Sequence, residues 1–152
     1  MKQIIVIAGP TAVGKTKYAI EAACAFNGEI VSCDSMQLYK YMNIGSAKPT
    51  LEELSKAKHH LVDIIDPSEA FSVAEYQKLA KNAISEIFKK DKTPIIAGGT
   101  GLYLNSILYN MDFSNTPQDL SFRQALEEEA DIFGSEYIYK KLEKRDPDAA
   151  GR

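Results

Sequence analysis

Arginine is missing from the first 122 residues; Arg123 is the first. That gap counts against phosphoryl transfer, where guanidinium forks usually clamp the charge on the moving group. Cysteine is scarce too, present only as Cys24 and Cys33. Two thiols at this spacing, with no His/Cys cluster beside them, do not form a zinc pattern. Without a secretory signal they read as small buried thiols in a reducing compartment rather than a disulfide. Long apolar runs are lacking as well. The N-terminal MKQIIVIAGP holds only Ile4–Ala8 in series, too short for a signal h-region or a membrane span. The expectation is a cytoplasmic protein with no membrane contact. Nor is there a surplus of either charge. The 152-residue chain carries −3 at pH 7, which announces neither a nucleic-acid surface nor a membrane surface. Residues 1–118 balance twelve Lys against twelve acids, and residues 119–152 hold six basic and nine acidic groups. The length suits one α/β core, not two full domains.

Strand and helix signals alternate over the first 110 residues. Gln3–Ala8 is an Ile/Val run of the kind buried on both faces of a parallel sheet. A helical stretch, Thr16–Phe26, ends at Asn27-Gly28. Glu29–Cys33 is a second strand, and His60–Ile64 (HLVDI) is a third. Between them, Thr50 caps a short helix, LEELSKAK. Ser72 caps a longer one, in which Val73, Tyr76, Leu79, Ala80, Ala83, Ile84, Ile87 and Phe88 recur at helical spacing. Pro94–Ala97 is a fourth strand, turned by Gly98-Gly99-Thr100-Gly101 into LYLNSILY. This alternation predicts a doubly wound, mainly parallel α/β sheet. After the turn-rich MDFSNTPQD, Asp119–Asp131 and Ser135–Lys144 read as helices with no strand between them. The expected division is an α/β core over 1–112 and a small helical insertion over 113–152.

The strongest chemical signal is Gly9-Pro10-Thr11-Ala12-Val13-Gly14-Lys15-Thr16, which fits G-x-x-x-x-G-K-[ST] between a strand and a helix. Glycines let successive backbone N–H groups point into one concavity, and the following helix adds its positive end. Lys15 supplies a mobile cation, and the Thr16 hydroxyl is a ligand for Mg²⁺. The expected ligand is a diphosphate or a nucleotide.

What that loop transfers is a separate question. A P-loop kinase holds Mg²⁺ with an acid at a strand end, but Pro94–Ala97 is followed by glycines. Asp63 and Asp66 are the substitutes left for a nucleotide or small-molecule kinase. Asp34 stands just past the second strand, on the edge where open α/β sheets bind ligands. There it is either an N-cap for the next helix or a group serving Mg²⁺ or proton transfer. His59 and His60 are adjacent on a strand, face opposite sides and cannot easily chelate one ion, so their reading is structural.

Taken in order, GPTAVGKT, DSMQLY (34–39), GSAKPT (45–50), KHHLVDIIDPSEAFSVAEY (58–76) and GGTGLYL (98–104) resemble the tRNA dimethylallyltransferase, or tRNA isopentenyltransferase, family across about 1–150. The resemblance implies transfer of a dimethylallyl group from its diphosphate to N6 of the adenosine 3′ to a tRNA anticodon, with release of diphosphate. It implies that Gly9–Thr16 holds the leaving diphosphate with Mg²⁺ on Thr16, so that no arginine finger is needed. Asp34 matches the catalytic base, with Thr100 and Lys15 beside it in the catalytic group. Asp34, Ser35, Met36, Gln37, Thr100 and Arg123 match positions that meet tRNA. The implied partners are dimethylallyl diphosphate and the tRNA anticodon stem-loop, with no protein partner. Family members run to about twice this length, so the chain is expected to be an N-terminal piece, inactive by itself. A relative that prenylates free adenine nucleotides is the other prenyl-transfer reading.

Overall fold

The computed structural model describes residues 2–113 and 119–151. Strands β1 (Ile5–Ala8), β2 (Gly28–Cys33), β3 (His59–His60) and β4 (Thr93–Gly98) form one sheet in the order β1-β4-β2-β3. All of these pairings are parallel, with Ile95 of β4 standing between Ile5 and Ile30, and Ile30 opposite His59. Parallel neighbours need crossovers, and helices supply them. α1 (Lys15–Ala25) links β1 to β2, α2 (Leu51–Lys56) links β2 to β3, and α3 (Val73–Lys89) links β3 to β4.

Successive strand side chains point to opposite faces, so each Ile-Ile or Ile-Val pair feeds two cores. Ile30 and Ile95 pack with Ala19, Ile20 and Ala23 of α1. Val31 and Ile96 pack on the other face with Tyr76, Ala80 and Ile87 of α3 and with Tyr103 of α4 (Gly101–Leu108). The fold is the expected doubly wound, mainly parallel α/β sheet. Both caps read from the sequence are full capping boxes. Ser72 Oγ accepts from Glu75 N at 3.3 Å while Glu75 Oε2 accepts from Ser72 N at 2.7 Å. Thr50 and Glu53 repeat the exchange at 3.2 and 2.7 Å, satisfying donors that a helix start otherwise leaves unpaired.

Two expectations are corrected. The strand expected over His60–Ile64 is only His59–His60. Beyond it Leu61 (φ 61) and Asp63 (φ 54) are left-handed, which ends extended pairing. The segment bonds the stretch after β2 instead, with Asp63 N donating to Gln37 O at 3.0 Å and Ile64 N to Leu38 O at 2.8 Å. The second correction concerns the thiols: Cys33 is buried, whereas Cys24 is exposed.

The chain divides into two compact units, Met1–Phe113 and Ser114–Arg152. Residues 114–118 of the turn-rich MDFSNTPQD lie outside the described residues. The second unit holds α5 (Leu120–Phe133), α6 (Ser135–Arg145) and a short α7 (Pro147–Ala150) that the sequence reading did not separate. Gly134, at φ 84, turns α5 into α6, a conformation glycine adopts without strain. Asp146 caps α7, accepting from Ala149 N at 2.9 Å, with Pro147 at the first helical position, where its missing N–H costs nothing.

Candidate functional site

β1, β4 and β2 lie side by side and parallel, so the segments leaving their carboxyl ends share one edge of the sheet. After β1 the chain turns through left-handed Ala12 (φ 69) and Gly14 (φ 87) into α1. No side chain caps α1 and its first turn holds no acid, leaving its N–H groups and the positive end of its dipole for an anion. Lys15 Nζ is folded back onto the loop, donating to Pro10 O at 2.6 Å.

After β2 comes Asp34. Its Oδ1 accepts from Met36 N at 2.9 Å, an Asx turn rather than a helix cap, since residues 35–39 form no helix. The next residue is tied to the third segment. Ser35 N donates to Thr100 Oγ1 at 3.0 Å, and Thr100 N donates to Cys33 O at 3.1 Å. The Thr100 hydroxyl is therefore engaged with the Asp34–Gln37 segment, and it does not cap α4.

β4 ends at Gly98. A Cβ there would lie 2.0 Å from Cys33 O, a distance at which β2 and β4 could not stay paired. No side chain fits at Gly98, which closes that position to a kinase's magnesium-binding acid. The two substitutes are engaged elsewhere. Asp63 Oδ1 pairs with Lys48 Nζ at 2.6 Å, and Asp66 Oδ1 accepts from Ser68 Oγ at 2.7 Å.

Thr11, Ala12, Gly14, Lys15 and Thr16 line one side of a cavity of about 270 Å³, which Asp34 and Gln37 line as well. Gly9, Pro10 and Thr100 face a smaller adjoining cleft of about 170 Å³. Val13 and Met36 are exposed. Arg123 belongs to the second unit, exposed on α5, where its Nε donates to Glu127 Oε1 at 3.3 Å. Gln37 is held at both ends of its amide: Oε1 accepts from Ser32 Oγ at 3.0 Å and Nε2 donates to Ala47 O at 2.9 Å.

The sequence reading missed His59, which also lines the cavity. Its Nδ1 lies 2.9 Å from Ala57 O, a contact that requires the proton on Nδ1 and leaves Nε2 as an acceptor. Nε2 is buried without a hydrogen-bond partner among the described residues. Burial pushes the His59 pKa below its ordinary 6.5, against the raising effect of the Ala57 carbonyl. Its parallel pairing with Ile30 sets this ring on the α1 face, and nothing local in the sequence announces that.

The family model for IPP transferase matches residues 37–152. The chain belongs to the IPP transferase family. The matched region starts after the P-loop and Asp34, but whole-chain relatives extend further. A tRNA dimethylallyltransferase of Alkaliphilus oremlandii is 54% identical over 99% of the chain and 48% of its own length. One from Acetivibrio thermocellus is 55% identical, over 99% and 48%. Among solved structures, the full-length tRNA isopentenylpyrophosphate transferase of Bacillus halodurans superposes with a TM-score of 0.73 at 44% identity, covering 99% of this chain and 50% of that one. A eukaryotic dimethylallyltransferase acting on tRNA gives 0.82 at 37% identity, over 99% and 37%. The chain thus spans about half the length of the curated IPP transferase relatives it matches.

Proposed function

We propose that this chain carries the donor-binding and acceptor-activating part of a tRNA dimethylallyltransferase. The supporting observation is one cavity shared by a diphosphate-type loop and Asp34, beside a strand end where Gly98 admits no acid. A site of this shape suits a diphosphate that leaves whole rather than a phosphoryl group that moves.

In the reaction, N6 of the adenosine next to the anticodon attacks C1 of the dimethylallyl group. The C1–O bond breaks and its electron pair goes to the diphosphate. Adenine N6 is a weak nucleophile because its lone pair is delocalised into the ring. The Asp34 carboxylate takes the N6 proton, a step worth about 10²–10⁴-fold when a base is well placed. Lys15 swings from Pro10 O to the diphosphate, and the N–H groups of Gly9–Thr16 stabilise the charge growing there. Thr16 and Asp34 line the same cavity, a hydroxyl and a carboxylate of the kind that suits Mg²⁺ alongside substrate phosphates. Thr16 would hold it, and its chemistry there is to neutralise the leaving diphosphate. Thr100 keeps the segment Asp34–Gln37 in place through Ser35. Ser35, Met36 and Gln37 meet the flipped adenosine, and the unit around Arg123 contacts the tRNA. Such a tRNA enzyme works in the cytoplasm.

Competition for a fluorescent diphosphate probe tests the donor: dimethylallyl diphosphate should displace it better than ATP does. Tighter ATP binding would favour a kinase. In the protein at the length of its relatives, an anticodon stem-loop should be prenylated and AMP should not. Prenylated AMP alone would move the assignment to the free-nucleotide branch.

A further inference from the structure

The loop between the Asp34–Gln37 segment and α2 carries a group that the reaction leaves unused. Lys48 is 6% exposed at its side chain, and its Nζ donates to Tyr39 O at 2.6 Å, Asp63 Oδ1 at 2.6 Å and Asn43 Oδ1 at 3.2 Å. An ammonium has three protons, and here all three are spent on protein acceptors. Such a lysine is unavailable to a phosphate. It is a staple joining the loop at 43–48 to the stretch after β2 and to the stretch after β3.

What the staple fixes is the neighbouring carbonyl. Ala47 is left-handed (φ 48), and its O accepts from Gln37 Nε2 at 2.9 Å. From the other side of the staple, Asp63 N donates to Gln37 O at 3.0 Å. Gln37 is thus held by its side chain from one end and by its backbone from the other, and Lys48 ties the two ends together.

The carbonyl decides more than position. A glutamine amide can be turned over at almost no steric cost, and its hydrogen-bond partners alone choose the orientation. Ser32 Oγ, 3.0 Å from Oε1, does not choose, because a hydroxyl both donates and accepts. Ala47 O only accepts, so the amide nitrogen must face it. With one N–H and one lone pair used by the protein, Gln37 keeps one donor and one acceptor in a defined order. Adenine presents the complement, the N6 donor beside a ring-nitrogen acceptor. Turned over, the amide would meet donor with donor.

We propose that Lys48 is a positioning residue that sets the amide orientation of Gln37 through Ala47, and with it the selection of adenine at the acceptor site. The proposal rests on the reading that Gln37 meets the acceptor adenosine.

The test is a double-mutant cycle of Lys48→Met and Gln37→Leu in the protein at the length of its relatives. The readouts are KM and kcat for an anticodon stem-loop and Kd for dimethylallyl diphosphate. Lys48→Met alone should raise the stem-loop KM about tenfold, the scale of one good base-edge contact, with kcat and donor Kd within about threefold. On the Gln37→Leu background the same change should move KM by less than about twofold. Equal KM effects on both backgrounds overturn the proposal, as does a parallel loss of donor affinity. If Lys48→Met fails to fold, Asp63→Ala removes one of the three acceptors and keeps the ammonium; the cycle is read identically. A Gln37→Leu protein with unchanged KM overturns the proposal while the function stands. Absence of any transfer by the wild type overturns the function itself.

Discussion

Asp34 shows how one carboxylate can satisfy two readings. Its Oδ1 accepts from Met36 N at 2.9 Å, and the same side chain lines the cavity with Lys15 and Thr16. Asp34→Asn keeps an oxygen for Met36 N and loses the ability to take a proton. At the length of the relatives, this variant should bind donor and tRNA nearly as before, while turnover falls at least about 10²-fold. Retained turnover with a lowered unfolding midpoint would leave Asp34 only its turn. Lys15→Ala should weaken diphosphate binding by about 1.5–3 kcal/mol, the range of a charge-assisted hydrogen bond, measured by titration calorimetry. Unchanged affinity would move the diphosphate elsewhere. At Gly98 the expectation is structural. A Cβ 2.0 Å from Cys33 O has no room to relax, because both partners are strand backbone. Gly98→Ala should therefore cost more than about 3 kcal/mol in denaturant unfolding. A loss below 1 kcal/mol, on the order of an ordinary surface change, would show that the strand ends can part.

The strands and helices are tied together at the opposite edge of the sheet by Glu29, at 2% exposure on β2. Its carboxylate meets His60 Nε2 of β3 at 2.7 Å, Lys92 Nζ just before β4 at 3.0 Å and Lys90 Nζ just after α3 at 3.1 Å. Burial raises its pKa, but the bonds to His60, Lys92 and Lys90 outweigh it and hold the value at about 2, against 4.5 unperturbed. The native pKa lies below the unfolded one, so the unfolded chain binds the proton first. The stabilisation is complete above the unfolded value and is lost as pH falls from about 4.5 towards 2. Its size is on the order of 3 kcal/mol at most, because the partly exposed lysines are screened by solvent. Urea unfolding at stepped pH should show the wild type losing stability through that window faster than Glu29→Gln does. Parallel profiles would mean that the cluster contributes nothing to acid sensitivity.

Across the chain, burial is unequal between the two units. α3 alone buries Tyr76, Ala80, Ala83, Ile84 and Ile87, whereas no residue of α5, α6 or α7 is buried. Protection against hydrogen exchange follows the packing that must open. Amides of β2, β4 and α3 should therefore exchange together at the slowest rates, and those of α5 and α6 should exchange much faster by mass spectrometry. Equal protection would show that the second unit is stabilised as strongly as the sheet.

Local grammar determined a good deal. The spacing Gly9…Gly14-Lys15-Thr16, the Ile/Val strands, and Ser72 and Thr50 ahead of a glutamate three residues on were legible because each involves backbone groups within a few residues. The order of motifs was enough to indicate the family. Tertiary structure decided the rest, through contacts between residues far apart in the chain. HLVDI reads as a strand, yet it bends at Leu61 and Asp63 to bond Gln37 and Leu38. His59 faces the cavity because it pairs with Ile30, 29 positions away. Asp63 reads as a free acid in the sequence, but the fold brings Lys48 to it. Gly98 reads as a turn residue, and only the approach of Cys33 O shows that nothing larger fits. Short-range patterns fix which backbone groups are satisfied locally; which side chains share a cavity depends on which strands lie side by side, and the insertion of β4 between β1 and β2 settled that.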